Sequence, residues 1–109
     1  MTATRGYLVV RSVVPDTATR PPFDHWYSTD HMPLAIARLG ALRGWRFWSE
    51  SDPAVHYACY EFADVRTLSE RMNSQELRSL VAEYDRVWPT GVTRTREVIR
   101  LVDHVSAQQ

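Results

Sequence analysis

The stretch His25 to Ala35, "HWYSTDHMPLA", puts two histidines, an aspartate, a Trp-Tyr pair and a proline into one short amphipathic segment. Imidazole is the side chain whose ordinary pKa lies near neutrality. A half-buried histidine beside aromatic rings can therefore take a proton from a phenol or from a carbon next to a carbonyl. His31 is the candidate base, because it follows Tyr27 by four residues and so shares a helix face with it. A tyrosine hydroxyl can donate to a developing oxyanion. That makes Tyr27, Tyr57 and Tyr60 the companion candidates, and of the strand pair Tyr60 has the better claim, because it sits mid-strand with the same parity as the small Ala58. Each has a plain alternative: a histidine bonded to backbone, or a tyrosine packed with its hydroxyl at the rim.

Around these, Trp26, Trp45, Trp48 and Trp88 could wall a flat aromatic ligand, although core or dimer packing would use them at least equally well. Asp30 falls on the apolar arc between Phe23 and Leu34, where a buried carboxylate needs a partner such as a sheet arginine. It completes the expected substrate-binding set of Trp26, Asp30, Trp48 and Trp88. A direct Asp30–His31 dyad is disfavoured, since neighbours on a helix diverge by about 100°. His25 points away from the apolar face. Its spacing of six from His31 does not suit a metal, which takes helical ligands three or four apart. His56 and His104 join no ligand set, and Cys59 reads as a buried thiol without an activating partner. Arg94, Arg96 and Arg100 share strand parity and read as a solvated edge or as interface ion pairs. No glycine-rich phosphate loop or nucleotide fingerprint is present. Neither a cofactor nor a metal is expected.

These residues need elements to hold them. "GYLVVRSVV", Gly6 to Val14, is rich in β-branched residues and predicts a strand. Pro15 to Pro22 predicts a loop, and a helix should begin at Phe23. Pro33 removes a backbone donor and disfavours helical geometry at Met32, so the helix should run to His31, kink, continue to Leu39 and stop at Gly40. Gly44 to Glu50 and His56 to Phe62 predict a hairpin across "SDPA". Asp64 can cap a short helix through Met72, and Ser74 a longer one with a stripe of Leu77, Leu80, Val81, Tyr84, Val87 and Trp88. Pro89 and Gly91 end it, Val92 to Val102 predicts the last strand, and the tail from Asp103 is polar.

The order β-α-β-β-α-β is the ferredoxin-like, split βαβ unit: an α+β fold with two helices on one face of a four-stranded antiparallel sheet. Both parities of the first strand are largely apolar, and Trp45 and Phe47 oppose Arg46 and Trp48 in the second. A sheet with water on one face alternates more cleanly. A second copy packed sheet to sheet, as a homodimer, is the simple solution.

The chain has 109 residues, the size of a single domain (1–109, core about 6–102), with 44% apolar residues. Thirteen basic residues balance thirteen acidic ones, which argues against a nucleic-acid or anionic-membrane partner. All the basic residues are arginine, so Schiff-base chemistry through a lysine is excluded. One cysteine forms no internal disulfide, no apolar run reaches membrane-spanning length, and the N-terminus does not begin a signal peptide. A cytoplasmic protein is expected.

With these elements in place, "FDHWYSTDHMPLAIARLGALRGWRFW" resembles the EthD-like branch of the dimeric α/β-barrel superfamily. That branch carries an aromatic-rich first helix, then an acidic residue, His, a small or apolar residue and Pro. "YACYEF" and "SQELRSLVAEYDRVW" sit where it has its third strand and second helix, so the resemblance runs from Gly6 to Val102. It places the motif's histidine on His31, with Asp30 before it and Pro33 after it. In relatives that catalyse, this region lines a pocket between helices and sheet. Gly40 stands where many relatives have Pro-Gly. The superfamily includes cofactor-free monooxygenases, haem-degrading enzymes, lactone isomerases and polyketide cyclases, and fold alone does not select among them. Haem would usually take a histidine from the second helix, and Met72 to Trp88 has none. The expectation is a cofactor-independent enzyme (isomerase, cyclase, dehydratase or lactone-processing type) acting on a small hydrophobic carbonyl or phenolic molecule. The alternatives are a non-catalytic binder of an apolar metabolite and a cofactor-free monooxygenase.

Overall fold

In the computed structural model, which describes residues 3–108, four strands form one antiparallel sheet. They are β1 (Gly6–Val13), β2 (Arg43–Trp48), β3 (Val55–Phe62) and β4 (Thr93–Arg100), in the spatial order β2-β3-β1-β4. The central pair β1 and β3 is in register at Leu8 opposite Tyr60 and Val10 opposite Ala58. On the other side of β1, Val10 faces Arg96 and Ser12 faces Arg94. Helices α1 (Arg20–Trp26), α2 (Met32–Leu39), α3 (Val65–Arg71) and α4 (Gln75–Val87) complete the ferredoxin-like α+β fold. Leu8, Val10, Ala58, Tyr60 and Phe62 of the sheet join Phe23, Leu39, Leu77, Leu80 and Tyr84 of the helices in one core.

The local signals act as their chemistry requires. Asp64 accepts a hydrogen bond from the Arg66 amide, and Ser74 Oγ accepts one from the Leu77 amide, so both caps hold first-turn donors. Gly40 closes α2 with φ 76°, the left-handed conformation that favours glycine. Gly6 is required by contact: a Cβ there would lie 2.7 Å from the Val65 backbone.

Two expectations for the first helical segment are corrected. The helix begins at Arg20, not Phe23, with Pro21 and Pro22 inside its first turn. Proline is tolerated there because first-turn amides lack intrahelical acceptors, so the "loop" prolines are helix starters. Nor does the chain simply kink at Pro33. A π-helical turn, Tyr27–His31, joins α1 to α2, and the Met32 amide donates to the Tyr27 carbonyl five residues back. This wider turn accommodates the donor that Pro33 lacks and shifts the helical phase beyond it.

The other face of the sheet carries no helix. Tyr7, Val9, Trp45, Phe47, Tyr57, Cys59 and Ile99 lie there, with Phe47 53% and Trp45 38% exposed. At one end of this face Glu61 is held by Tyr7, Arg43 and Arg5 at 2.7, 2.7 and 3.2 Å. Cys59, expected to be buried, is only half-buried on this face. Among the described residues, no helix is long and apolar enough to cross a membrane.

Candidate functional site

A pocket opens between α2, α4 and the sheet. Leu8, Val10, Leu39, Leu77, Leu80 and Val81 supply apolar walls, and Tyr27, His31, Tyr60, Tyr84, Arg94 and Arg96 supply its polar groups. The cavity volume is about 40 Å³, enough to admit water.

The π-helical turn determines what His31 touches. Trp26 and His31 are five residues apart, which a regular α-helix would separate by about 140°. Here their rings stack, with centroids 4.6 Å apart and planes 21° from parallel. Tyr27 and Tyr84 meet the imidazole edge-on at 4.9 and 5.6 Å. His31 is only 7% exposed, and its Nδ1 has no hydrogen-bond partner among the described residues. Burial, reinforced by the Arg94 guanidinium, pulls its pKa from 6.5 down to about 4. His31 is therefore a neutral imidazole at physiological pH.

Tyr60 reaches the same pocket from β3. It is 2% exposed, and its hydroxyl likewise lacks a partner among the described residues. Tyr27 and Tyr60 influence each other's ionisation, but no hydrogen bond of acceptable geometry joins them. Burial raises the pKa of both phenols, so both stay protonated. Tyr84 is anchored by Ser12 Oγ at 2.9 Å and by Arg94, whose guanidinium carbon sits 3.8 Å from its ring centroid. Arg94 also bonds Asp85 at 2.9 Å.

The pocket thus brings together His31, Tyr27 and Tyr60. The expected substrate-binding set lies elsewhere. Trp26 backs His31 by stacking and does not line the pocket. Asp30 is exposed, not on the apolar arc: its Oδ1 lies 2.9 Å from the Thr29 hydroxyl, because the π turn rotates it outward. Trp88 packs on Phe23 and Trp26, at 5.4 and 5.9 Å between centroids. Trp48 donates its indole N–H to Asp24 Oδ1 at 2.7 Å, in a separate polar cluster. His25 is exposed, as its helical phase requires. Tyr84, Arg94 and Arg96 were missed as site residues. Arg94 and Arg96 share parity, which was legible; that their side of β4 faces the pocket was not.

The separate cluster contains a second buried histidine. Arg46 lies 2.9 Å from Asp24 and 3.3 Å from His56 Nε2. Arginine only donates, so His56 Nε2 accepts and its proton resides on Nδ1, which is buried without a partner among the described residues. Burial, then Arg46, pulls the His56 pKa to about 4 against the opposing pull of Asp24. Among the described residues no group of three or more His, Cys, Asp or Glu side chains is placed to hold a metal ion.

The helix-backed, four-stranded antiparallel sheet is a ferredoxin-like fold that this chain shares with solved structures, one of them an EthD family protein. It is similar to a single-site variant of SnoaB, a cofactor-independent oxygenase from Streptomyces nogalater. The TM-score is 0.69 at 10% identity, over 96% of this chain and 100% of that one. It is similar to an EthD family protein from Bacillus halodurans, with TM-score 0.62, 16% identity, and 85% and 96% of the two chains covered. A Bacteroides thetaiotaomicron protein of unknown function, described as a possible oxidoreductase, gives TM-score 0.64 at 12% identity, covering 90% and 98%. No protein-family profile matches the sequence, and no curated protein matches it.

Proposed function

We propose that the pocket performs cofactor-independent proton-transfer chemistry on a small hydrophobic carbonyl or phenolic molecule. The observation that carries this reading is a pair of buried, unpartnered polar groups, His31 Nδ1 and the Tyr60 hydroxyl, on residues lining one apolar pocket. A buried polar group without a partner is costly, and His31 Nδ1 and the Tyr60 hydroxyl differ from the unpartnered His56 Nδ1 and Trp88 Nε1 in belonging to residues that line the pocket, where a ligand can satisfy them. Neutral His31 accepts the proton, and the Tyr60 or Tyr27 O–H donates to the oxygen where negative charge develops. Because both phenols stay protonated, they remain donors at neutral pH. Arg94 disfavours imidazolium, and a bound anion offsets that penalty. The same abstraction serves isomerisation, cyclisation, dehydration or lactone processing. Similarity to SnoaB favours a second reading, in which the substrate anion reacts with oxygen. A ring-sized substrate needs more room than this cavity offers, so entry displaces side chains.

For any substrate that is turned over, His31→Ala should lower kcat/KM by about 100-fold or more while far-UV dichroism stays native. The acid limb of the kcat/KM profile should fall near pH 4, the free-protein value for His31, not near 6.5. Oxygen uptake that follows turnover selects the second reading. Full activity in His31→Ala, or saturable binding with no turnover, makes the protein a binder and the histidine structural.

The uncovered apolar sheet face supports a homodimer packed sheet to sheet, and the single cysteine fits a cytoplasmic setting. Sedimentation at micromolar concentration should return twice the 12.6 kDa protomer mass. Phe47→Asp should shift the protein toward protomer. A wild-type protein that sediments as a protomer would leave that face open and sink the dimer.

A further inference from the structure

The helix-facing side of β4 is unusual for a core. Opposite Ser12 and Val10 of β1 stand Arg94 and Arg96, both lining the pocket. Packing alone would place apolar side chains there, because a cation near a low-dielectric cavity needs compensation. Arg94 has it, in Asp85 at 2.9 Å and in the Tyr84 ring beneath it. Arg96, on the same face, has no hydrogen-bond or ion-pair partner among the described residues and is exposed. The pocket is therefore graded: a free guanidinium at its rim, apolar walls, and the unpartnered His31 and Tyr60 groups inside.

Resting on the proposed reading of that pocket, we infer that its substrate class is a hydrophobic carboxylate. The ligand's carboxylate is bound at the rim by Arg96, and its carbonyl or phenol end reaches His31 and Tyr60. A guanidinium presents parallel N–H groups that match a carboxylate's two oxygens. The charge count agrees. Asp85 neutralises Arg94, Arg96 is left over, and the site carries one net positive charge, suited to a monoanion.

The test uses 4-hydroxybenzoate and its uncharged isostere 4-hydroxybenzamide as probes, with binding followed by calorimetry at neutral pH and low salt. The acid should bind at least about 10-fold more tightly than the amide, as loss of a charge-assisted pair implies. Arg96→Gln should abolish that ratio by weakening the acid alone, and Arg96→Lys should restore part of it. Tyr60→Phe should weaken both probes together. Equal affinity for acid and amide, a preference that survives Arg96→Gln, or no binding of either probe overturns the carboxylate assignment. None of these outcomes depends on turnover. The proton-transfer reading fails separately, through an active His31→Ala variant.

Discussion

Acidification from pH 6.5 to about 4 should strip several kcal/mol of stability from this protein. His31 and His56 have folded pKa values near 4 against 6.5 for an ordinary histidine. Between those values the unfolded chain binds a proton at each site and the folded protein does not. Stability therefore rises with pH through this window, is fully present above 6.5, and is lost as the pH falls toward 4. Each histidine is worth about 3 kcal/mol, and two together rival the low end of a domain's total stability, about 5 kcal/mol. Asp24 and Glu61, whose pKa values are lowered by their hydrogen-bond partners, lose their contributions at still lower pH. Urea midpoints measured from pH 7.5 to 4.5 should fall continuously below 6.5. His31→Leu should flatten about half of the slope. A midpoint that stays constant from pH 7 to 5 would show that neither histidine is held neutral by burial.

Phe23→Ala should cost about 3–5 kcal/mol, the range for removing a fully buried aromatic ring. Phe23 is 0% exposed, and its ring touches Trp26, Tyr27, Trp48, His56, Tyr84 and Trp88, with centroids 5.3–6.2 Å away. It joins the pocket, through Tyr27 and Tyr84, to the Asp24–Arg46–His56 cluster. Those neighbours sit on different elements, so collapse into the vacated space would require several of them to move at once. Chemical denaturation with an unchanged m-value measures the loss. A cost below about 1 kcal/mol would mean that the aromatic cluster closes over the gap, and the hub role would be wrong.

The sequence by itself determined the element order, the capping residues Asp64 and Ser74, the terminator Gly40, and the α4 stripe through Leu77, Leu80 and Tyr84. It also determined that the sheet has two apolar faces and that His25 and His31 part company. These are properties of local conformation and of side-chain period, which a linear pattern carries in full. Tertiary structure decided the rest. The π-helical turn depends on how the chain around Pro33 settles against the core, and one extra residue in one turn moved Asp30 to the surface and stacked His31 on Trp26. Likewise, parity aligned Arg94 with Arg96, but only the helices packed over one side of β4 turned that row into the lining of a pocket. The histidine pKa values follow from the same source, since desolvation is a property of everything that surrounds a group and not of its neighbours in sequence.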